Sequence, residues 1–272
     1  MAVASGAVTT ISEPPPIHVR ASFGVRDGEP EPLDGTIGWR CGEIALHQVG
    51  NLAQAAWVAQ TMDSLQVENL RVARPIRSSD GRWVVSGWTA TKYVVGRPEP
   101  RHDEVVSVAV RLHDATGHLP RPRFLDDRRD VFALADRVAW GEEDVPLKDH
   151  LGGSLFAALV DRCRPVTRRP QVVHGDLFGN VLFAGDAAPA IADFEPFWRP
   201  PEWAAAVVVV DALAWGGADE GIVGRWAHLP CWPQALLRAL LFRLAVHALH
   251  PHSTPASLLG LERAAGQIVP LI

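Results

Sequence analysis

Val172-Val173-His174-Gly175-Asp176-Leu177-Phe178-Gly179-Asn180-Val181-Leu182-Phe183, followed by Ala190-Ile191-Ala192-Asp193-Phe194-Glu195, decides how this chain of 272 residues is read. Two apolar runs flank a short loop that presents an acid, a glycine-permitted turn and an amide. A third apolar run then delivers a second acid at its end. Singly, each residue has an ordinary explanation: Asp193 caps the segment after it, and Asn180 sits in a turn. Jointly, three oxygen-bearing side chains, Asp176, Asn180 and Asp193, lie in one strand-loop-strand and can converge. Such hard oxygen donors suit Mg²⁺, which commonly binds through one or two carboxylates plus substrate phosphates.

On the N-terminal side, patterning is strand-like. Residues 1–16 are small, polar and proline-rich and read as a tail. A short helix is expected over 17–25, and a turn-rich passage from Leu33 to Arg40 enters a strand. Glu43 to Val49 alternates, with Ile44, Leu46 and Gln48 on one face and Ala45, His47 and Val49 on the other. Asn51 predicts the N-cap of a helix running to about Leu65. Leu70–Ile76 and Trp83–Tyr93 read as a hairpin turned at Ser79-Asp80-Gly81. Gly96-Arg97-Pro98-Glu99-Pro100 reads as a linker. Beyond it helical periodicity dominates, with helices expected over 103–115, 129–140, 153–163 and 234–250 around the strand-loop-strand. The expected fold class is therefore α+β and bilobal: a flexible tail (1–16), a small β-rich N-lobe (17–96) with a hinge at about 90–97, and a larger, mostly helical C-lobe (97–272).

Composition narrows the function classes. Apolar residues make up 47% and the net charge is −5, an ordinary globular balance and not the basic domain that grips nucleic acid. Residues 1–16 lack the basic and apolar regions of a signal peptide. The most apolar run, Trp203–Trp215, is interrupted by Asp211 and is shorter than the roughly 20 residues that span a bilayer. Three scattered cysteines, Cys41, Cys163 and Cys231, suggest neither a disulfide framework nor a zinc site, and a reducing cytoplasm is expected. No GxxxxGK[ST] and no GxSxG is present, which excludes P-loop and serine-hydrolase readings. His247, His250 and His252 read as solvated helix-end histidines. The only lysines are Lys92 and Lys148, so a lysine mechanism is confined to those positions.

The His174-Gly175-Asp176 loop with Asn180, followed by the apolar strand into Asp193-Phe194, resembles the catalytic and metal-binding loops of the aminoglycoside phosphotransferase family, within the protein-kinase-like superfamily. Stretches 14–25, 82–96, 119–142 and 198–215 resemble an uncharacterised actinobacterial group of that superfamily. The resemblance implies a protein-kinase-like fold that uses ATP, or another nucleoside triphosphate, and Mg²⁺. Asp176 would be the catalytic base toward an acceptor hydroxyl, and Asn180 and Asp193 would hold the metal. His174 would be a structural loop residue and Asp211 a brace for the catalytic loop, unless it is a surface acid. Gly35 and Gly38 would belong to the turn over the phosphates. Ala45 would line the adenine pocket, and Thr91, Lys92 and Tyr93 would form the hinge.

Three departures accompany the resemblance. His47 stands where the family pairs a lysine with the phosphates, and it either substitutes in part or fills the cleft roof; protonated imidazole offers two donors and a charge. Gln54 stands where the helix glutamate belongs and can hydrogen-bond to an imidazole. Asp176 and Asn180 are four residues apart where five is usual, a shortening that Gly179 can absorb. The implied function is an ATP- and Mg-dependent phosphotransferase acting on a small-molecule hydroxyl, with neither nucleic acid nor membrane as partner. The alternative is a pseudokinase-like nucleotide-binding or regulatory module. Trp198 and Trp203 are candidates for an acceptor pocket or for packing. Glu195, Glu202, Asp219 and Glu220 read either as an anionic mouth or as solvated acids.

Overall fold

The computed structural model describes residues 13–25, 28–33 and 38–272. Gly35 and most of the tail therefore lie outside the described residues. Along the chain run α1 (Ile17–Ser22), β1 (Glu31–Pro32), β2 (Trp39–Cys41), β3 (Ile44–Gln48), α2 (Leu52–Ser64), β4 (Arg71–Val72) and β5 (Trp88–Lys92). There follow α3 (His102–Thr116), α4 (Val131–Ala139), α5 (Gly153–Val160), β6 (Gln171–His174), β7 (Val181–Leu182), β8 (Ala190–Ile191) and β9 (Pro196–Arg199). The chain closes with α6 (Pro201–Asp211), α7 (Ile222–Arg225), α8 (Trp232–Leu249) and α9 (Pro255–Ile268). Contacts divide the described residues into two units, one built from those up to Pro98 plus Asn180–Phe194, the other from Glu99–Gly179 plus Glu195–Ile272.

In the first unit, β1-β2-β3-β5 form an antiparallel sheet. The alternation expected for β3 is realised: Leu46 is fully buried in a cluster with Val19, Phe23, Trp39, Cys41 and Trp88, while Ala45 and His47 lie on the opposite face. Asn51 caps α2, its side chain accepting the Gln54 amide at 3.0 Å. The expected hairpin is split. Residues 74–76 pair with β5, through Ile76 N–H to Ala90 O and Lys92 N–H to Arg74 O, both 2.8 Å. β4 instead pairs in parallel with β8, which groups Asn180–Phe194 with this unit rather than with the helices around it in sequence.

The second unit is helical. α8 packs against α4, α5, α6 and α9, and α6 also packs on α3. The apolar run from Trp203 forms α6, buried on every face, which is why it shows no amphipathic stripe. It ends in a π-turn at Ala212–Gly216. No helix among the described residues is long and apolar enough to cross a membrane. β6 pairs antiparallel with β9 and is pinned to α3, where Thr116 Oγ1 donates to Val172 O at 2.8 Å and the His174 amide donates to His113 Nε2 at 3.0 Å.

That last bond fixes His113 as neutral, because an imidazole nitrogen accepts only when it carries no proton. Burial, with His174 nearby as a second cause, lowers its pKa to about 3. The unfolded chain therefore takes up a proton near pH 6.5 that the folded chain refuses. The stability this group contributes is complete above that pH and is lost as pH falls toward 3. Urea unfolding at pH 7 and pH 5 should show a loss of about 2 kcal/mol from this residue. His113→Gln, which keeps an acceptor but no titration, should flatten that limb; an unchanged slope would assign it elsewhere.

Candidate functional site

Each unit carries part of the sequence-predicted site. In the helical unit, Val172 and Val173 are fully buried and carry β6 to a tight corner. At that corner a Cβ on Gly175 would lie 2.4 Å from the Phe197 ring, so only glycine fits. The Gly175 amide donates to Glu195 O at 3.0 Å. His174, 1% exposed, accepts the Asp176 amide on Nδ1 at 3.1 Å. After Asp176 the chain is anchored by Leu177 and Phe178, both buried. The Phe178 ring stacks on His102, whose Nε2 bonds to Gly216 O at 3.1 Å.

Beneath this loop lies a residue that sequence reasoning missed. Arg243, on α8 and 2% exposed, donates from Nη2 to Asp176 Oδ1 at 2.8 Å. The same guanidinium grips Asp211, through Nε to Oδ1 at 2.7 Å and Nη2 to Oδ2. Asp211 is thus fully buried rather than a surface acid, and it meets the Asp176 loop through Arg243. Burial pushes its carboxyl up to about 6, with Arg243 opposing and Asp176 adding to the rise. The two carboxylates hold Arg243 firmly charged against its own burial. A signal existed in the sequence: Arg243 is a lone cation within Leu240-Leu241-Phe242-Arg243-Leu244-Ala245, where helical periodicity leaves no polar face for it.

The acids around the loop are also spoken for by arginines. Arg128, 4% exposed, reaches Glu195 at 2.7 Å, Asp130 at 2.9 Å and Pro196 O at 2.9 Å. Arg199 is paired with Asp136 at 2.8 Å and Glu142 at 2.6 Å. Glu202 is buried and bonded to Arg168 at 2.9 Å, Asp219 pairs with Arg225 at 2.7 Å, and Glu220 accepts from Gln267. The four acids read as one anionic mouth are instead separate pairs. Trp203 is a core residue, edge-on to Phe197 and Phe242, whereas Trp198 lines a cavity with Arg128 and Arg199. His247 is buried, bonding to Leu151 O at 2.8 Å and Ser257 Oγ at 2.7 Å, so it is a packing residue rather than a solvated one.

In the first unit, the Ala45–His47 face of β3 lies beside β5, with Ala45 opposite Thr91 and His47 opposite Thr89. Tyr93 donates its amide to Glu43 O at 2.8 Å, and its ring carries the Arg40 guanidinium at 4.2 Å. Lys92 is exposed. A Cβ on Gly38 would lie 2.6 Å from His47 Nδ1, so the imidazole packs directly against Gly38. Gln54 is half-buried in the first turn of α2. β7 and β8 pair antiparallel, Val181 with Ile191 and Leu182 with Ala190. Continued one step, this register sets Asn180 opposite Ala192, so Asn180 and Asp193 share one end of the ladder. Phe194 is buried beside the Trp57 ring of α2, centroids 6.4 Å apart, while Asp193 is exposed.

Among the described residues no three His, Cys, Asp or Glu side chains group as a self-sufficient metal site. One carboxylate and one amide oxygen at a strand end still fit a hard cation that takes its remaining ligands from a nucleotide and water.

The model of the phosphotransferase enzyme family, APH, matches residues 44–197, more than half of the chain. No protein of curated function matches the sequence closely. Among solved structures, the fold is similar to a thermostable mutant of aminoglycoside phosphotransferase APH(4)-Ia in ternary complex with ADP and hygromycin B. That match has 12% identity and a TM-score of 0.55, covering 93% of this chain and 97% of the other. It is also similar to a choline/ethanolamine kinase family protein from Mesorhizobium loti, at 17% identity and TM-score 0.53, covering 93% and 92%. Choline kinase LicA from Streptococcus pneumoniae matches at 11% identity and TM-score 0.52, covering 89% and 93%. The chain belongs to the phosphotransferase enzyme family and has its α+β, bilobal, protein-kinase-like fold.

Proposed function

We propose that the protein transfers the γ-phosphoryl group of ATP, or of another nucleoside triphosphate, to the hydroxyl of a small molecule. The observation that carries this reading is Asp176 held against a fully buried arginine, on a loop whose backbone is fixed by His174 and Gly175. Arg243 holds the carboxylate in place, so that it accepts the hydrogen of an incoming hydroxyl. The acceptor oxygen bonds to the γ-phosphorus, and the bond from that phosphorus to the β–γ bridging oxygen breaks. The proton passes to Asp176 and nucleoside diphosphate leaves. Ala45 and the Thr91–Tyr93 backbone would take the adenine, Gly38 and His47 would serve the phosphates, and Asn180 and Asp193 would hold Mg²⁺. When bound, the cation would supply neutralisation of the phosphate charge. His174 and Asp211 position the loop, and Gln54 supports His47.

His47 favours a second reading, a nucleotide-binding module with little turnover, because one imidazole replaces a lysine. Thermal-shift titration with ATP, with and without Mg²⁺, followed by a phosphotransfer assay separates the two. The enzyme reading expects Mg²⁺-dependent stabilisation and turnover that falls about a hundredfold or more in Asp176→Asn with nucleotide affinity kept. Binding without turnover, indifferent to that substitution, supports the module, and no nucleotide-dependent shift defeats both.

Two further outcomes follow from the same geometry. His47→Lys should tighten nucleotide binding about fivefold to tenfold, measured by calorimetry; unchanged affinity would detach β3 from the phosphates. Arg243→Met should cost about 3–5 kcal/mol in urea unfolding, because it leaves Asp211 buried without its cation. Adding Asp211→Asn should recover much of that stability without recovering turnover. Recovery of both would reduce Arg243 to a packing role.

A further inference from the structure

The helical unit contains a cavity of about 420 Å³ between the segment that follows α3, helix α4 and strand β9, within the size range of small-molecule sites. Its lining is continuous with the Asp176 loop: Phe197 packs against Gly175, and Arg128 is tied to Glu195, whose carbonyl accepts the Gly175 amide. We infer that this cavity receives the phosphoryl acceptor and that the acceptor is a neutral polyhydroxylated molecule of the sugar or cyclitol class. The inference rests on the phosphotransferase reading above and adds the substrate class to it.

The charge pattern carries the argument. Four arginines line the cavity, and every one is engaged by a carboxylate: Arg121 by Asp126 at 2.7 Å, Arg137 by Glu143 at 2.6 Å, and Arg128 and Arg199 by the pairs already described. A cationic ligand would compete with these guanidiniums for their carboxylates, and an anionic ligand with the carboxylates for the guanidiniums. A hydroxyl does neither. It accepts from a guanidinium N–H and donates to the carboxylate beside it, so adjacent hydroxyls can bridge intact ion pairs. The half-buried Trp198 adds a flat apolar surface suited to the C–H face of a ring.

Ligand-observed NMR on the full chain without nucleotide tests binding separately from chemistry. The probes are glucose, sucrose and myo-inositol as neutral polyols, choline and kanamycin as cations, and inorganic phosphate as an anion. At least one neutral polyol should bind saturably. Trp198→Ala should weaken it about tenfold, and Arg121→Gln, at an exposed rim position that folding tolerates, should weaken it too; Trp198→Tyr should retain most binding. Binding of the charged probes alone, polyol binding indifferent to Trp198→Ala and Arg121→Gln, or no binding by any polyol would overturn the inference. The bound polyol is then offered with ATP and Mg²⁺. Its phosphorylation supports both readings. Cavity-mapped binding without transfer to it overturns the acceptor assignment, and if no compound in the panel is phosphorylated it counts against the phosphotransferase reading as well. Transfer to choline or kanamycin, with no polyol bound, removes this inference and leaves that reading intact.

Discussion

A single guanidinium, Arg243, ties the helical core to the loop that carries Asp176. It is almost wholly buried, and so is its partner Asp211. Neither charge is tolerable there alone, since an unpaired ion in the interior costs several kcal/mol. Together with Asp176 they satisfy one another, and the fork of an arginine does what a lysine could not: it bonds two carboxylates from one planar group. α6 presents Asp211 at its last residue, just before the π-turn at Ala212–Gly216, and such turns often mark functional positions in helices. The position of Asp176 is thereby fixed by how α6 packs on α8, a core property, rather than by the loop itself.

The strand-rich unit obeys a different constraint, the period-two alternation of β3. Leu46 must face the buried cluster, which turns Ala45 and His47 to the other face whatever their chemistry. Gly38 then has no room for a side chain because the imidazole lies against it. The same logic operates at β7 and β8, where ladder register sets Asn180 and Asp193 at one end. Phe194, packed beside Trp57, keeps the strand end in place while Asp193 stays exposed.

Local chemistry was legible in the sequence, and long-range pairing was not. Asn51 as an N-cap and the two faces of β3 follow from patterns within a few residues, and the structure reproduces them. The parallel pairing of β4 with β8 joins residues more than a hundred positions apart, and Leu70–Ile76 reads as an ordinary hairpin arm until that partner is known. Asp211 reads equally as a surface acid until Arg243, 32 residues later, is placed against it. Glu195, Glu202, Asp219 and Glu220 look like a shared negative field because each acid is visible in sequence while its arginine lies elsewhere in the fold.

The pairing of these acids has a general physical cause in this chain. With only two lysines, nearly all its positive charge resides on arginines, which stay protonated and hold carboxylates in fixed geometry. Acids that solvated lysines would leave free to attract a cation are here locked in pairs. The net charge of −5 is therefore a poor guide to what the helical unit attracts. What matters is the local arrangement around each cavity, and around the one between α4 and β9 every guanidinium stands beside a carboxylate. Such a surface discriminates by hydrogen-bond geometry rather than by field. Selectivity then depends on matching the spacing of donors and acceptors, and a ligand that lacks one hydroxyl leaves a desolvated pair partly unmet.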